Sequence, residues 1–138
     1  MENYFKDWAV IGYNDETGVG RLTRDLKNIL SIGIHLVAPS KKFSTAELTE
    51  EDEFLFSPSC SREELKDLLR GKKGIFFVET YSWHPELVSV CRELNIFTAC
   101  MVMWEWFRST DVEWKMIDLL LCPTQYTVSV LKSLSYHN

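Results

Sequence analysis

Residues 8–21 read WAVIGYNDETGVGR. Trp8 to Tyr13 is an unbroken apolar run, the pattern of a strand covered on both faces. Asn14 to Gly20 is polar and carries two glycines, which reads as a loop. From Arg21 the apolar residues fall at Leu22, Leu26, Ile29 and Leu30. That is the i, i+4, i+7, i+8 stripe of a helix running to Ile32, with Gly33 where a helix stop is expected. Strand, glycine turn and helix together form the opening unit of a parallel sheet wrapped by helices.

The same alternation continues outward. Ile34 to Ala38, Phe54 to Phe56, Ile75 to Glu79, Ile96 to Met103 and Leu119 to Cys122 read as strands. Between them, Ser61 with Glu64 three residues on is a capping box that opens a helix to about Arg70, closed by Gly71. Pro85 suits the first turn of a helix to Leu94, Asp111 to Ile117 reads as a short helix around Trp114, and Pro123-Thr124 opens a last helix to about Leu134. Residues 40–52 are polar and acidic, a loop with a short helical turn. The expected fold is α/β: a single doubly wound domain over residues 1–138, mostly parallel sheet flanked by helices. Ligands of such sheets bind at the carboxyl ends of the strands, so attention falls on 14–21, 39–42, 80–84, 104–108 and 123–126.

The 138 residues are 46% hydrophobic and 25% charged, the balance of a globular domain rather than a disordered chain. A net charge of −5 speaks against generic binding of nucleic acid or anionic membrane. No apolar run approaches the roughly 20 residues that cross a bilayer, and the amino terminus lacks a charged-then-apolar signal layout. Cys60, Cys91, Cys100 and Cys122 form no C-x-x-C pair and have no histidine at zinc spacing, so they read as reduced thiols of a cytoplasmic protein. The acidic run Glu47 to Glu53 reads as a solvated face, and His35, inside a strand, as a satisfied core residue.

Four stretches carry candidate chemistry. Gly18-Val19-Gly20-Arg21 brings glycines and a cation to a helix start, where backbone N–H groups suit a phosphate or carboxylate. The dinucleotide fingerprint fails because Thr23 stands in the third glycine's place, and no G-K-[ST] completes a P-loop. The glycines are equally compatible with a turn that needs them for backbone geometry. Trp83-His84 pairs a stacking surface with a hydrogen-bond donor at a strand end, or else His84 caps a helix. Trp104-Glu105-Trp106 places a carboxylate between two aromatic rings. Aromatic faces and carboxylates suit sugars, and Glu105 becomes a base if burial raises its pKa; the other reading pairs it with Arg108. Thr124 caps the last helix or lines a cleft. Ser82, Ser109, Cys60 and Cys100 lack a convincing activating base.

In order and placement, four segments resemble the N-terminal half of a GT-B-type glycosyltransferase, glycosyl transferases group 1 like. They are GVGR (18–21), ETYSWHP (79–85), MWEWFR (103–108) and DLLLCPT (118–124), and the resemblance covers almost the whole chain. It implies two Rossmann-like domains facing each other, the first holding the acceptor and the second the nucleotide sugar. It places Gly18, Val19, Gly20 and Arg21 near the donor phosphates, and Trp83, His84, Trp104, Trp106 and Thr124 along the acceptor. The family's frequent histidine after the fifth strand is absent here, and Glu105 is the substitute catalytic candidate. The nucleotide sugar is a substrate; no further cofactor or metal is implied. The second domain's nucleotide-binding stretch has no counterpart in these residues. The expectation is therefore a glycosyltransferase N-terminal domain, inactive until a donor-binding domain joins it in cis or in trans, with homo-oligomerisation open to it. The alternative is a stand-alone sugar- or nucleotide-binding module without catalysis. A receiver-like domain is disfavoured, because the last strand ends in Cys-Pro-Thr without a lysine.

Overall fold

The computed structural model describes residues 3–38, 51–123, 125, 129 and 131–132, except for the side chain of Trp104. Its strands are β1 (Trp8–Gly12), β2 (Ile34–Val37), β3 (Glu53–Leu55), β4 (Gly74–Glu79), β5 (Phe97–Val102) and β6 (Leu119–Leu121). Its helices are α1 (Gly18–Leu30), α2 (Arg62–Leu69), α3 (Leu87–Glu93) and α4 (Glu113–Met116), with a 3-10 turn at Trp104–Trp106. The strands form one sheet in the order β3-β2-β1-β4-β5-β6, and every pairing is parallel. The domain is Rossmann-like. The chain starts in the middle, walks out to β3, returns past β1 and walks the other way. β1 and β4 are therefore neighbours whose connections depart in opposite directions, which opens a crevice at their carboxyl ends.

Alternate residues of the central strands feed two cores. Trp8, Val10, Phe76, Val78 and Ala99 face α1, meeting Leu22, Leu26 and Leu30 of its apolar stripe. Ala9, Ile11, Leu36, Ile75, Phe77 and Cys100 face the other way, onto Leu65 and Leu69 of α2 and Leu87, Val88, Val90 and Cys91 of α3. All five positions of β1 are buried, as uniform apolarity predicts for a strand covered twice. Trp114 of α4 is fully buried in the second core.

Ser61 caps α2 as read: Glu64 N donates to Ser61 Oγ at 3.1 Å, and the Glu64 carboxylate turns back to accept from the Ser61 hydroxyl at 3.1 Å. Two boundaries differ from the sequence reading. α1 begins at Gly18 rather than Arg21, because Thr17 caps it, so the two glycines belong to its first turn. It ends at Ser31, which takes the left-handed conformation (φ 53°) expected of Gly33. Gly33 is needed instead for closeness, since a Cβ there would lie 2.0 Å from Lys6 O. Positions 125, 129, 131 and 132 are helical, in line with a helix after β6. Residues 39–50, which hold most of the 40–52 loop, and Thr124 lie outside the described residues. No helix among the described residues is long and apolar enough to cross a membrane.

β1 and α1 are in close contact. A Cβ on Gly12 would lie 2.3 Å from Thr23 Oγ1, and that hydroxyl, fully buried, donates to Val19 O at 2.7 Å. Gly12→Ala should destabilise the fold by about 1–3 kcal/mol. Thr23→Ala in the same chain should recover part of that loss, read as a coupling energy from chemical-denaturation midpoints of the two single variants and the double.

Candidate functional site

The first wall of the crevice is the β1–α1 turn. Asp15 Oδ1 accepts from Thr17 N at 3.1 Å and from Thr17 Oγ1, and Thr17 Oγ1 accepts from Gly20 N at 3.2 Å. Arg21 N donates to Thr17 O at 2.9 Å. From one turn further along α1, Arg24 Nη1 donates to Asn14 O at 2.5 Å and Asp15 O at 2.7 Å. A Cβ on Gly20 would lie 2.2 Å from Asp15 O, so this glycine lets the turn close on itself. A Cβ on Gly18 would meet open space. With the N–H groups of Gly20 and Arg21 engaged internally, those of Gly18 and Val19 are the first-turn donors left for a ligand. The Arg21 side chain is exposed and makes only a surface approach to Glu16, 3.8 Å away.

The second wall is the segment after β4. Glu79 adopts φ 75°, a left-handed conformation rare for a residue with a side chain and a mark of strain at functional sites. Its carbonyl accepts from Met103 N at 3.2 Å, which ties the end of β5 to it. Burial raises the pKa of Tyr13 on the first wall, and the negative charges of Glu79 and then Asp15 push it further. Charges from both walls thus act on Tyr13, with the Arg24 guanidinium on the backbone of Asn14 and Asp15 beside them. Thr80 and Ser82 hydroxyls bond each other at 2.7 Å. Tyr81 donates to Asp111 Oδ2 at 2.8 Å and stacks edge-on against Trp114; burial first, then that bond, raises its pKa.

Of the aromatic candidates, Trp83 and His84 are buried and Trp106 is exposed. Trp83 is 8% exposed, donates through Nε1 to Val78 O at 2.9 Å, and meets Tyr13 edge to face with centroids 5.0 Å apart. It closes the floor between the walls rather than offering an open stacking face. His84 is 2% exposed, and both ring nitrogens are engaged. Nδ1 accepts from Glu86 N at 3.0 Å, so Nε2 carries the proton and donates to Cys60 O at 2.8 Å. His84 thus joins the segment after β4 to the one before α2, and no ring nitrogen is left for an acceptor. Glu105 and Trp106 are exposed on the 3-10 turn after β5, Trp106 at 39%. No ion pair between Glu105 and Arg108 is present among the described residues. Trp104 begins that turn, and its side chain, like all of Thr124, lies outside the described residues.

The structure therefore brings Gly18 and Val19 together with Tyr13, Glu79 and Trp83 around the switch point. Glu79, Tyr13 and Arg24 were not singled out by sequence. Tyr13 has a detectable signal, as the residue on which β1 ends; a torsion at Glu79 and a guanidinium reaching back ten residues have none. The four cysteines are free thiols. Burial pushes Cys91 up to about 12 and raises Cys60, Cys100 and Cys122, so none is a thiolate nucleophile at neutral pH. Among the described residues no group of three or more His, Cys, Asp or Glu is arranged to hold a metal ion. No protein-family model, curated protein or solved structure matches the chain.

Two variants separate scaffold from ligand contacts. His84→Ala leaves the part-buried Cys60 carbonyl without its donor and should cost about 1 kcal/mol or more of folding stability by chemical denaturation; unchanged stability would return His84 to the ligand-binding candidates. Arg24→Met removes two bonds to backbone carbonyls of the turn. It should lower amide-exchange protection at Gly18 to Gly20 while leaving β4 and β5 protected as in the wild type.

Proposed function

We propose that the β1/β4 crevice binds a polyhydroxylated ligand and that the chain is the acceptor-side, Rossmann-like domain of a glycosyl-transfer enzyme. The observation that carries this reading is the edge-to-face meeting of Tyr13 and Trp83 at the switch point, ring centroids 5.0 Å apart, with the charges of Glu79 and Asp15 adding to burial in raising the Tyr13 pKa. Carboxylates accept hydrogen bonds from sugar hydroxyls and repel phosphates. A crevice of aromatic rings with such carboxylates near therefore suits a neutral sugar better than a nucleotide. The donor phosphates would approach from outside it, toward the N–H groups of Gly18 and Val19 and the exposed guanidinium of Arg21. One sheet supplies one wall. A second nucleotide-binding domain, in cis or in trans, would hold the nucleotide sugar and exclude water. Such a partner, closing over the exposed Glu105, would bring an acceptor hydroxyl to its carboxylate. Glu105 then accepts the proton of the acceptor hydroxyl as that oxygen bonds to the anomeric carbon and the nucleoside diphosphate departs. Four free thiols suit a reducing compartment such as the cytoplasm.

The self-satisfied state of Trp83 and His84 favours a second reading, a sugar-binding module without catalysis, because a floor already closed needs no partner to form it. Both readings are tested by NMR titration of the 138-residue chain with monosaccharides and, separately, UDP-glucose and GDP-mannose. The expected result is that a monosaccharide shifts the Tyr13, Glu79 and Trp83 signals and that Glu79→Gln weakens its binding about tenfold, the loss of one hydrogen bond to a charged group. Binding in the millimolar range fits a half-site awaiting its second wall, and binding in the micromolar range fits the module. Saturable binding of a nucleotide sugar with no response to any free sugar would overturn the polyol assignment.

A further inference from the structure

Beneath the first wall lies a polar cluster that the proposed function does not use. His35 of β2 is 0% exposed, between β1 and β3 on the face that α1 covers. Its Nε2 lies 3.1 Å from Gly12 O, the last carbonyl of β1. A carbonyl only accepts, so Nε2 carries the ring proton and Nδ1 presents a lone pair. That Nδ1 is buried and has no hydrogen-bond partner among the described residues. Among the described residues, the charged groups around it come from two elements. α1 contributes Lys27, buried and 2.6 Å from Asp52 Oδ1. The β3 side contributes Asp52, whose carbonyl accepts from His35 N at 2.9 Å, and Glu53, buried and directly opposite His35 in the strand register. β1 contributes only its carbonyl. Glu53 Oε2 in turn accepts from Asn14 Nδ2 at 3.2 Å.

We infer that His35 is an acid-sensitive latch on the β1–α1 turn, leaving Asn14 tethered to Glu53 when neutral and drawing Glu53 away from Asn14 when protonated, while its bond to Gly12 O persists. The cluster grips the turn at two points, Gly12 through His35 and Asn14 through Glu53. Protonation adds a second cation near Lys27 and turns Nδ1 into a donor with no acceptor in place. The carboxylate available to it is that of Glu53, across the register. Recruiting Glu53 takes it from Asn14, and the turn loses that tether. The latch stands on the fold alone and holds whatever ligand the crevice takes.

Burial is the main cause that holds the ring's pKa below the usual histidine value, with Lys27 in support; the Gly12 carbonyl, Glu53 and Asp52 oppose it. The folded state therefore takes up a proton less readily than the unfolded chain. Stability from this site is complete above about pH 6.5, the unfolded value, and is lost as pH falls toward the folded value. The loss reaches up to tenfold in the folding equilibrium per pH unit for one proton.

The test compares the wild-type chain with His35→Gln between pH 8 and pH 5. The glutamine amide keeps a donor for Gly12 O and does not titrate. Chemical denaturation should show the wild-type folding equilibrium falling more steeply below about pH 6.5, by up to tenfold per unit, than that of His35→Gln. Amide-exchange protection across Gly12 to Gly20, corrected for intrinsic rates, should fall with pH in the wild type ahead of β4 and stay level in the variant. Parallel stability profiles, or a stability difference without selective loosening of the turn, would overturn the latch. Ring ¹⁵N shifts of His35 in the wild type serve if the glutamine variant does not fold. Retention of the Nε2–H tautomer down to pH 6 supports the latch, and titration at the ordinary histidine value without any shift at Asn14 overturns it.

Discussion

The closeness of α1 to β1 governs the rest of the molecule. At Gly12 there is no room for a methyl group against Thr23. The helix therefore lies down on the strand and its first turn is pressed against the end of β1. From that approach follow the closure of Gly20 on Asp15 and the reach of Arg24 to the carbonyls of Asn14 and Asp15. A strand buried on both faces has no exposed side chain with which to do chemistry. The reactive groups are displaced to the residues just past its end, which is why the crevice at the switch point is built from Tyr13, Asn14 and the α1 amino terminus facing Glu79.

Two kinds of force shape that crevice. Apolar closure comes from Trp83 against Tyr13, with the indole N–H satisfied by Val78 O, so the floor is rigid without any ligand. Charge comes from Glu79 and Asp15, which add to burial in raising the Tyr13 pKa. Below the first wall, His35 and Glu53 grip the turn from inside the protein through Gly12 and Asn14. The site is thus positioned by polar groups buried under it as much as by those that face it. Such a buried network is costly wherever a member lacks a partner, and that cost is the source of its sensitivity to protonation.

Local features were legible to the extent that their causes are local. The Ser61 cap and the stop at Gly71, which has φ 84°, depend on neighbours within a few residues, and both appear as read. The Gly33 reading failed because its governing neighbour is Lys6 O, distant in sequence, while Ser31 bore the left-handed turn. The partner of His84 was illegible for the same reason. His84 reads as a donor at a strand end, but its partner is the carbonyl of Cys60, brought in by the packing of two connecting segments. Glu79 reads as the last residue of a strand, and only its torsion and its proximity to Tyr13 mark it out.

By itself the sequence determined a parallel α/β sheet covered on both faces. That follows from apolar runs too uniform for a one-sided sheet, alternating with helical stripes, because burial of apolar surface is a sum over residues that pattern alone reveals. It also directed attention to the carboxyl ends of the parallel strands, where connections part. Tertiary structure alone decided which polar groups remain available there. A hydrogen bond is a relation between two groups, and the partners of His84, Trp83, His35 and Arg24 are set by how separate segments meet, which no single stretch of the chain encodes.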